Sequence, residues 1–209
     1  MNAESTRKPD VAFTTERFYM DHVDRHGLAL LKRHVNRYKW ATSNIPQGAR
    51  VIDAGCGSGY GDHILRTRAS EVLAIDVSEE AINYAKWKAA EIGDKGIMYV
   101  RDDLQDFPVP HVQFDAAVCI EVIEHVGEKA QEEILHRLAA SLTDAGVLMI
   151  TTPIKQGEEK LTEFHEHEFS TEEFKAFLGR RFYSVAFDDA KKFGIPEHFM
   201  LAVCRGPRR

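Results

Sequence analysis

Residues 51–61 read Val-Ile-Asp-Ala-Gly-Cys-Gly-Ser-Gly-Tyr-Gly, an apolar run that leads into a cluster of glycines. Such a run is typical of a buried strand, and glycines after it allow backbone N–H groups to approach a ligand closely. The spacing does not match the GxGxxG pattern of dinucleotide-binding loops, because Tyr60 or Asp62 stands where the third glycine belongs. Asp53 precedes the glycines and would repel a phosphate. The stretch therefore predicts a cationic or neutral ligand and argues against a nicotinamide cofactor.

Outward from this loop, short apolar runs alternate with amphipathic stretches of about ten to fifteen residues. This alternation predicts an α/β fold with a doubly wound, Rossmann-like sheet, mostly parallel, with helices on both faces. The last two runs have no long helix between them, so we expect one antiparallel strand at the C-terminal edge of the sheet. Seven strands are predicted: Arg50–Ala54, Glu71–Asp76, Ile97–Arg101, Phe114–Ile120, Val147–Thr152, Phe182–Phe187 and Phe199–Cys204.

Helices are predicted before the first strand and between most of the others. Apolar residues at three- and four-residue steps indicate a helical segment from Thr15 to Ser43 with a break near Gly27. We divide the chain into residues 1–47, a polar tail with cap helices, and a domain of residues 48–209. The other predicted helices are Tyr60–Ala69, Ser78–Ile92 with Ser78 as N-cap, Glu128–Leu142 before a turn at residues 143–146, and one from Ser170 or Thr171 through Leu178.

The composition is that of one globular domain. The chain has 209 residues, 44% of them hydrophobic, and a net charge of −6, which argues against DNA or long RNA as a partner. Cys56, Cys119 and Cys204 lack the spacing of a disulfide framework or a zinc finger. No apolar stretch reaches the roughly 18 residues of a membrane helix, and the polar N-terminus lacks the apolar core of a signal peptide. We expect a cytoplasmic protein without a membrane partner.

Carboxylates follow the next two predicted strands. Asp76 ends the second strand about twenty residues after the glycine loop, where a carboxylate can accept both hydroxyls of a ribose. Asp103 and Leu104 follow the third strand, in position to bind an exocyclic amine and to cover an adenine face. Together with the glycine loop, these residues predict a nucleoside that carries a positive charge.

Four motifs in this order resemble the class I S-adenosylmethionine-dependent methyltransferases. They are VIDAGCGSGYG at 51–61, LAIDVS at 73–78, RDDLQDFPV at 101–109 and FDAAVCIEVIEHV at 114–126. The resemblance covers residues 48–152. It implies a seven-stranded sheet that ends in a reversed hairpin, and S-adenosylmethionine as the cofactor, with S-adenosylhomocysteine as its product.

The resemblance also implies roles for individual residues. Asp53 and the backbone of Gly55 and Gly57 would hold the methionine part of the cofactor, and Asp76 the ribose. Glu121 would lie near the sulfonium. The remaining expected cofactor contacts are Tyr38, Cys56, Tyr60, Val77, Asp103 and Leu104.

The N-terminal segment resembles a narrower group. Glu16-Arg17-Phe18, followed by His34, Arg37 and Tyr38, is similar to the lead-in of bacterial small-molecule and glycan-associated methyltransferases. In that group the leader helices cover the cofactor and shape the acceptor pocket. The resemblance therefore implies a small-molecule or glycan acceptor.

Methyl transfer to a hydroxyl requires that the acceptor be aligned and that its proton be removed. His125, directly after the fourth predicted strand, is the expected base, with Glu124 and His165 as further catalytic residues. We predict methyl transfer to a hydroxyl of a small molecule or sugar, with a nitrogen acceptor as an alternative.

Two further alternatives stay open. Glu121, Glu124 and His125 form an ExxEH pattern, and the pattern with a later histidine resembles the metal site of small-RNA terminal 2′-O-methyltransferases. The same string occurs in metal-free members that resemble ubiquinone O-methyltransferases, so we expect no metal; if one binds, its ligands are Glu121, Glu124, His125 and His167. The other alternative is a non-catalytic module that keeps the cofactor as a structural ligand.

Overall fold

The apolar runs of the sequence pair into one mixed sheet. The structure, a computed structural model, describes Pro9, Tyr19 and residues 25–157 and 163–208. Its strands are β1 (Arg50–Ala54), β2 (Glu71–Asp76), β3 (Ile97–Arg101), β4 (Phe114–Ile120), β5 (Leu142–Pro153), β6 (Phe182–Asp188) and β7 (Phe199–Pro207). Their order is β3-β2-β1-β4-β5-β7-β6, and β7 runs antiparallel to both neighbours. The predicted seven-stranded Rossmann-like sheet is confirmed.

The helices between the strands begin at residues that satisfy their first N–H groups. Ser78 caps α3, as predicted, because its Oγ accepts the Ala81 N–H at 3.2 Å. Ser170, one of two predicted caps, forms a capping box with Glu173, in which each side chain accepts the other's backbone N–H. The helices are α1 (Arg25–Asn44), α2 (Tyr60–Leu65), α3 (Glu79–Ile92), α4 (Glu128–Ser141) and α5 (Thr171–Gly179).

Two predicted boundaries are wrong, while the predicted antiparallel C-terminal strand is confirmed, with its place inside the sheet. Helix α2 ends at Leu65 rather than Ala69, because the Arg66 side chain binds the carbonyl groups of Ala69 and Ser70 and holds the chain in a turn. Strand β5 begins at Leu142, so residues 143–146 continue the strand. The antiparallel strand β7 lies inside the sheet between β5 and β6, since its buried residues 200–204 need cover on both faces.

The N-terminal prediction is tested only in part. Helix α1 begins at Arg25 and passes through Gly27 without the expected break. Residues 1–8 and 10–18, including Glu16-Arg17-Phe18, lie outside the described residues. Tyr19 is described; it packs on Tyr84 with ring centroids 4.8 Å apart. The division between residues 47 and 48 stays a prediction.

Each face of the sheet has its own hydrophobic layer. On one face, Tyr38, Trp40 and Ala41 of α1 pack with side chains of β1 and β4 such as Val51 and Val118. On the other face, residues of α4 and α5 pack against β4, β5 and β7. Helices therefore cover both faces, as expected. None of the described helices has both the length and the apolar character needed to span a bilayer.

Strands β1 and β4 pair in parallel at the centre of the sheet, with Ala54 opposite Cys119. Between them the strand order changes direction. From β1 the chain continues to β2 on one side, and from β4 to β5 on the other. In such sheets, ligands bind at the carboxyl ends of the strands at this point of reversal. The loops after β1 and β4 therefore lie next to each other.

Tyr38 of α1 packs directly onto the first turn of α2. A Cβ atom added to Gly61 would lie 2.1 Å from Cζ of Tyr38, so only glycine fits under the ring. Both residues are buried. This contact attaches α1 to the domain beside the glycine loop.

We therefore predict that Gly61→Ala lowers the free energy of unfolding by about 1–3 kcal/mol, the usual cost of overpacking a core. The matched control is Gly179→Ala in the last turn of α5, where an added Cβ meets no atom within 4 Å. Urea unfolding of the two variants checks this. Equal stabilities would contradict the packing of Tyr38 on Gly61.

Candidate active site

A cavity of about 780 Å³ opens at the carboxyl ends of β1, β2 and β4. It is lined by the glycine loop, by the segments after β2, β3 and β4, by α1 and by the loop after β5. The expected cofactor residues found in the lining are Tyr38, Gly55, Cys56, Gly57, Tyr60, Asp76, Val77, Asp103, Leu104 and Glu121. The three expected catalytic residues, Glu124, His125 and His165, also line it.

The glycine loop passes very close to the segment after β4. Gly55 has a φ of 83°, and a Cβ atom there would lie 2.3 Å from Cγ2 of Val122. The N–H groups of Gly55 and Cys56 donate to the Ile75 carbonyl at 2.8 and 3.1 Å. The loop is thereby held against β2 with its backbone at the cavity wall, a cradle that a larger residue would fill.

Asp76 joins the glycine loop to the start of α3. Its Oδ2 accepts the Gly57 N–H at 2.9 Å, and its Oδ1 accepts the Ser78 N–H at 2.8 Å. A carboxylate oxygen can accept more than one hydrogen bond, so the group can also receive ribose hydroxyls from the cavity. Asp76 therefore holds the glycine loop in place and lines the cavity.

Two apolar side chains line the cavity from the ends of adjacent strands. Val77, which follows β2, is 58% exposed, and Leu104, which follows β3, is buried. Asp103, which precedes Leu104, also lines the cavity and accepts the Gln105 N–H at 2.9 Å. The two apolar side chains offer apolar surface to a flat ring, and the carboxylate offers an acceptor to its polar groups.

Asp53 does not line the cavity. It lies at the end of β1 with no exposed surface, and its Oδ1 accepts the Tyr38 hydroxyl at 3.4 Å. Burial raises the pKa of Asp53 to about 7. The expected contact of Asp53 with the methionine part stays a prediction, and Tyr38, which contacts Asp53, is the residue of this pair that lines the cavity.

The turn after β4 carries backbone strain. Glu121 is the one non-glycine residue of the described chain with a positive φ, at 55°. Its carboxylate accepts the Thr151 hydroxyl at 2.7 Å and lies 3.5 Å from Nη2 of Arg37. The Arg37 guanidinium is buried and stacks 4.0 Å from the centre of the Phe199 ring. These contacts hold a strained residue at the cavity, as is common at functional sites.

His34 of α1 also lines the cavity, and it is absent from the set of expected site residues. Burial, together with the positive charge of Arg37, lowers the pKa of His34 to about 3. The ring is therefore neutral at physiological pH. The lead-in HVNRY at residues 34–38 was the sequence signal for it, since His34 and Tyr38 lie one helical turn apart.

Glu124 binds the loop after β5 to the turn after β4. Its backbone carbonyl accepts the N–H groups of Glu166 and His167 at 2.8 and 3.2 Å. Its side chain is buried and accepts the Thr152 hydroxyl at 3.2 Å. Burial, and then the nearby charge of Glu121, raises the pKa of Glu124 well above its usual range. Burial therefore favours the protonated form of the Glu124 carboxyl.

Two imidazoles meet beside Glu124. The rings of His125 and His165 are 5.0 Å apart, and ligand atoms of Glu124, His125 and His165 lie within 4.8 Å of one another. Nδ1 of His125 lies 3.2 Å from the Phe164 carbonyl, and Nδ1 of His165 lies 2.6 Å from Oε1 of Glu168.

The Phe164 carbonyl and the Glu168 carboxylate both accept hydrogen bonds, so the neutral form of each ring carries its proton on Nδ1. In that form Nε2 is the basic nitrogen of each ring. Glu168, which orients His165, was not expected from the sequence. Its three-residue spacing from His165 within FHEHEF was the available signal.

His167 lies apart from this cluster. Its Nδ1 is 3.0 Å from Oε1 of Gln131, and its ring packs 4.5 Å from that of Phe169. Gln131 also donates from Nε2 to the Ile123 carbonyl at 2.9 Å. Of the two histidines considered as partners for Glu124 and His125, the fold therefore brings in His165.

The sheet has the strand order of a Rossmann-like methyltransferase domain. The glycine loop without a lysine and the Asp76 carboxylate at the end of β2 agree with this class. The family described as a methyltransferase domain matches residues 51–146. This part of the chain belongs to the class I S-adenosylmethionine-dependent methyltransferases.

Curated relatives match this chain over about half of their own length. A ubiquinone biosynthesis O-methyltransferase of Xylella fastidiosa is 35% identical over 120 residues, 56% of this chain and 47% of the relative. A probable S-adenosylmethionine-dependent methyltransferase of Mycobacterium tuberculosis is 28% identical over 133 residues, 61% of this chain and 46% of the relative. The chain thus spans about half the length of the curated relatives it matches.

Solved structures share the fold. The 1,6-didemethyltoxoflavin-N1-methyltransferase of Burkholderia thailandensis, solved with 1,6-didemethyltoxoflavin and S-adenosylhomocysteine, superposes with a TM-score of 0.66. Its identity is 20%, and the match covers 85% of this chain and 78% of that one. At this level of identity the likeness establishes the architecture.

We predict that Asp76→Ala weakens S-adenosylmethionine binding about tenfold to a hundredfold, the usual value of one lost charged hydrogen-bonding group. Asp106→Ala, an exposed carboxylate outside the cavity lining, is the control. Calorimetric titration of both variants checks this, with thermal unfolding to verify that each is folded. An unchanged dissociation constant for Asp76→Ala would remove the ribose role.

Proposed function

We propose that this chain transfers a methyl group from S-adenosylmethionine to a hydroxyl oxygen of a small molecule or sugar. The observation that carries the proposal is the pair of imidazoles, His125 and His165, which meet at the cavity with an acceptor at each Nδ1, so that Nε2 is the nitrogen that can accept a proton. The likeness to an O-methyltransferase of ubiquinone biosynthesis supports oxygen as the acceptor atom.

The cavity fits the cofactor in shape and in charge. The backbone cradle at Gly55, the Asp76 carboxylate, and the apolar surface of Val77 and Leu104 match the methionine, ribose and adenine parts in that order along the sheet edge. Glu121 supplies negative charge on the side of the turn after β4. When bound, S-adenosylmethionine supplies a methyl group on a sulfonium, whose sulfur leaves without needing a proton.

The chain itself has to orient the acceptor and take its proton. Tyr38 and His34 of α1 and Phe164 and His165 of the loop after β5 also line the cavity, which limits the space open to the acceptor. Orientation of this kind contributes about 7–11 kcal/mol in favourable cases. His125 receives the hydroxyl proton on Nε2, while the Phe164 carbonyl stabilises the resulting imidazolium through Nδ1–H.

We predict that His125→Ala lowers kcat about 10²–10⁴-fold, the usual contribution of a general base, while S-adenosylmethionine still binds. The matched control is His136→Ala on α4, half-buried and outside the cavity lining. S-adenosylhomocysteine formation is measured with a panel of phenols, catechols and sugar hydroxyls. Full turnover by His125→Ala would exclude this residue as the base; cofactor binding without turnover on any acceptor would favour the non-catalytic module.

A second candidate is a divalent-metal-dependent transfer, and the cluster of Glu124, His125 and His165 favours it. Two imidazoles and one carboxylate are a usual ligand set for a divalent ion, and Glu168 orients His165 as outer residues orient metal ligands. A bound ion would displace the proton of the buried Glu124 carboxyl. The methyl acceptor under this second candidate is a terminal ribose hydroxyl of RNA, although the net charge of −6 does not favour RNA binding.

The two candidates differ in their response to a chelator. The metal-free base predicts that S-adenosylhomocysteine formation is unchanged by EDTA, because no step depends on an ion. The second candidate predicts that EDTA removes activity and that added Mg²⁺, Mn²⁺, Co²⁺ or Zn²⁺ restores it. It also predicts that Glu124→Gln abolishes activity. Assays on chelated protein, with each ion added back in turn, decide between them.

A further inference from the structure

Two carboxyl groups lie together under the glycine loop, away from the acceptor side of the cavity. Asp53 ends β1 and Asp62 stands in the first turn of α2, and neither has exposed surface. Each side chain lies close enough to the other to shift its pKa. Two neighbouring carboxyl groups can form a hydrogen bond with each other only when one of them holds a proton.

The hydrogen bonds of the described chain do not satisfy this pair. Oδ2 of Asp53 and both side-chain oxygens of Asp62 receive no hydrogen bond of good geometry from an N–H or O–H donor of these residues. Unpaired buried carboxylate oxygens are costly, and a proton between the two groups would satisfy both.

The groups that face the pair from the surrounding elements are acids. They are Tyr38 of α1, Cys56 of the glycine loop, Tyr60 of α2, Asp76 of β2, Tyr99 of β3 and, on the outer side, Asp94. Asp94 is itself paired with His63 and Arg66. None of these six groups brings a positive charge next to Asp53, so a second negative charge on the pair is unfavourable.

We propose that Asp53 and Asp62 share one proton in the unliganded protein and release it when the cationic cofactor binds. The inference rests on the proposed function for the identity of that cofactor, and methyl transfer is not part of it. Burial raises the pKa of Asp53 to about 7 and that of Asp62 well above its usual range, so the proton is held near neutral pH.

The link to the cavity is short. The Tyr38 ring lines the cavity, and its hydroxyl donates to Asp53. Gly55, which also lines it, lies two residues from Asp53, at most about 7 Å along an extended chain. A positive charge in the cavity within about 10 Å of the pair favours the deprotonated form by more than about tenfold at an effective dielectric constant of about 20. Asp62 is thus a positioning residue that acts through Asp53.

Calorimetric titration of S-adenosylmethionine into the protein tests the proposal. At pH 7 the observed enthalpy is compared in phosphate and in Tris, whose ionisation enthalpies differ, and the difference gives the number of protons released. The matched variant is Asp62→Asn, which keeps the shape and offers Asp53 a permanent N–H donor. We expect the wild type to release more protons than the variant.

The α-amino group of the cofactor titrates with a pKa of about 8 and contributes to both titrations. The comparison with Asp62→Asn removes this contribution, since the ligand is the same. From pH 6 to pH 8 we expect the wild-type dissociation constant to fall about tenfold more than that of the variant. Equal proton release and parallel pH profiles would overturn the proposal.

Thermal unfolding of the unliganded proteins gives an independent check. The pKa of the pair is higher in the folded protein than in the unfolded chain, so the free energy of unfolding falls as pH rises through the folded pKa. The wild type should therefore lose more stability than Asp62→Asn between pH 5 and pH 8. If Asp62→Asn does not fold, Asp53→Asn replaces it in both measurements. Failure of S-adenosylmethionine to bind would remove the proposed function and the inference together, whereas proton release without methyl transfer would remove only the proposed function.

Discussion

The parallel pairing of β1 with β4 at the centre of the sheet determines where every functional residue lies. It places the loop after β1 against the turn after β4, so closely that a Cβ on Gly55 would overlap Val122. Because the neighbouring strands β2 and β5 run in the same direction, Asp76 and the loop with His165 reach the same edge. One strand pairing thus builds a cavity from segments far apart in the sequence.

The cavity is surrounded by acidic groups that burial keeps partly protonated. Asp53 and Asp62 lie under the glycine loop, and Glu124 lies under the two imidazoles, each with a raised pKa. Burial favours the protonated form of each carboxyl, because the charged form loses its hydration. On the proposed function, a bound cation would favour the release of these protons.

Most of the fold and the cofactor side of the site could be predicted because they depend on local patterns. Apolar runs separated by amphipathic stretches dictate a parallel sheet, and residues that follow parallel strands must share one edge. Asp76 and Leu104 line the cavity for this reason. The interior position of β7 and the start of β5 at Leu142 were missed, because strand partners are chosen by long-range burial that no local pattern records.

The sequence alone determined the seven strands, the glycine loop and the carboxylate that follows β2, since spacing along the chain sets all three. Tertiary structure decided which side chains meet. The carbonyl of Glu124 binds the N–H groups of Glu166 and His167, and this clamp brings His165 to His125 while Gln131 holds His167 away. The burial of Asp62 against Asp53 likewise arises only when α2 packs on β1 beneath Tyr38. Both outcomes depend on contacts between distant segments, whose energies exist only in the folded chain.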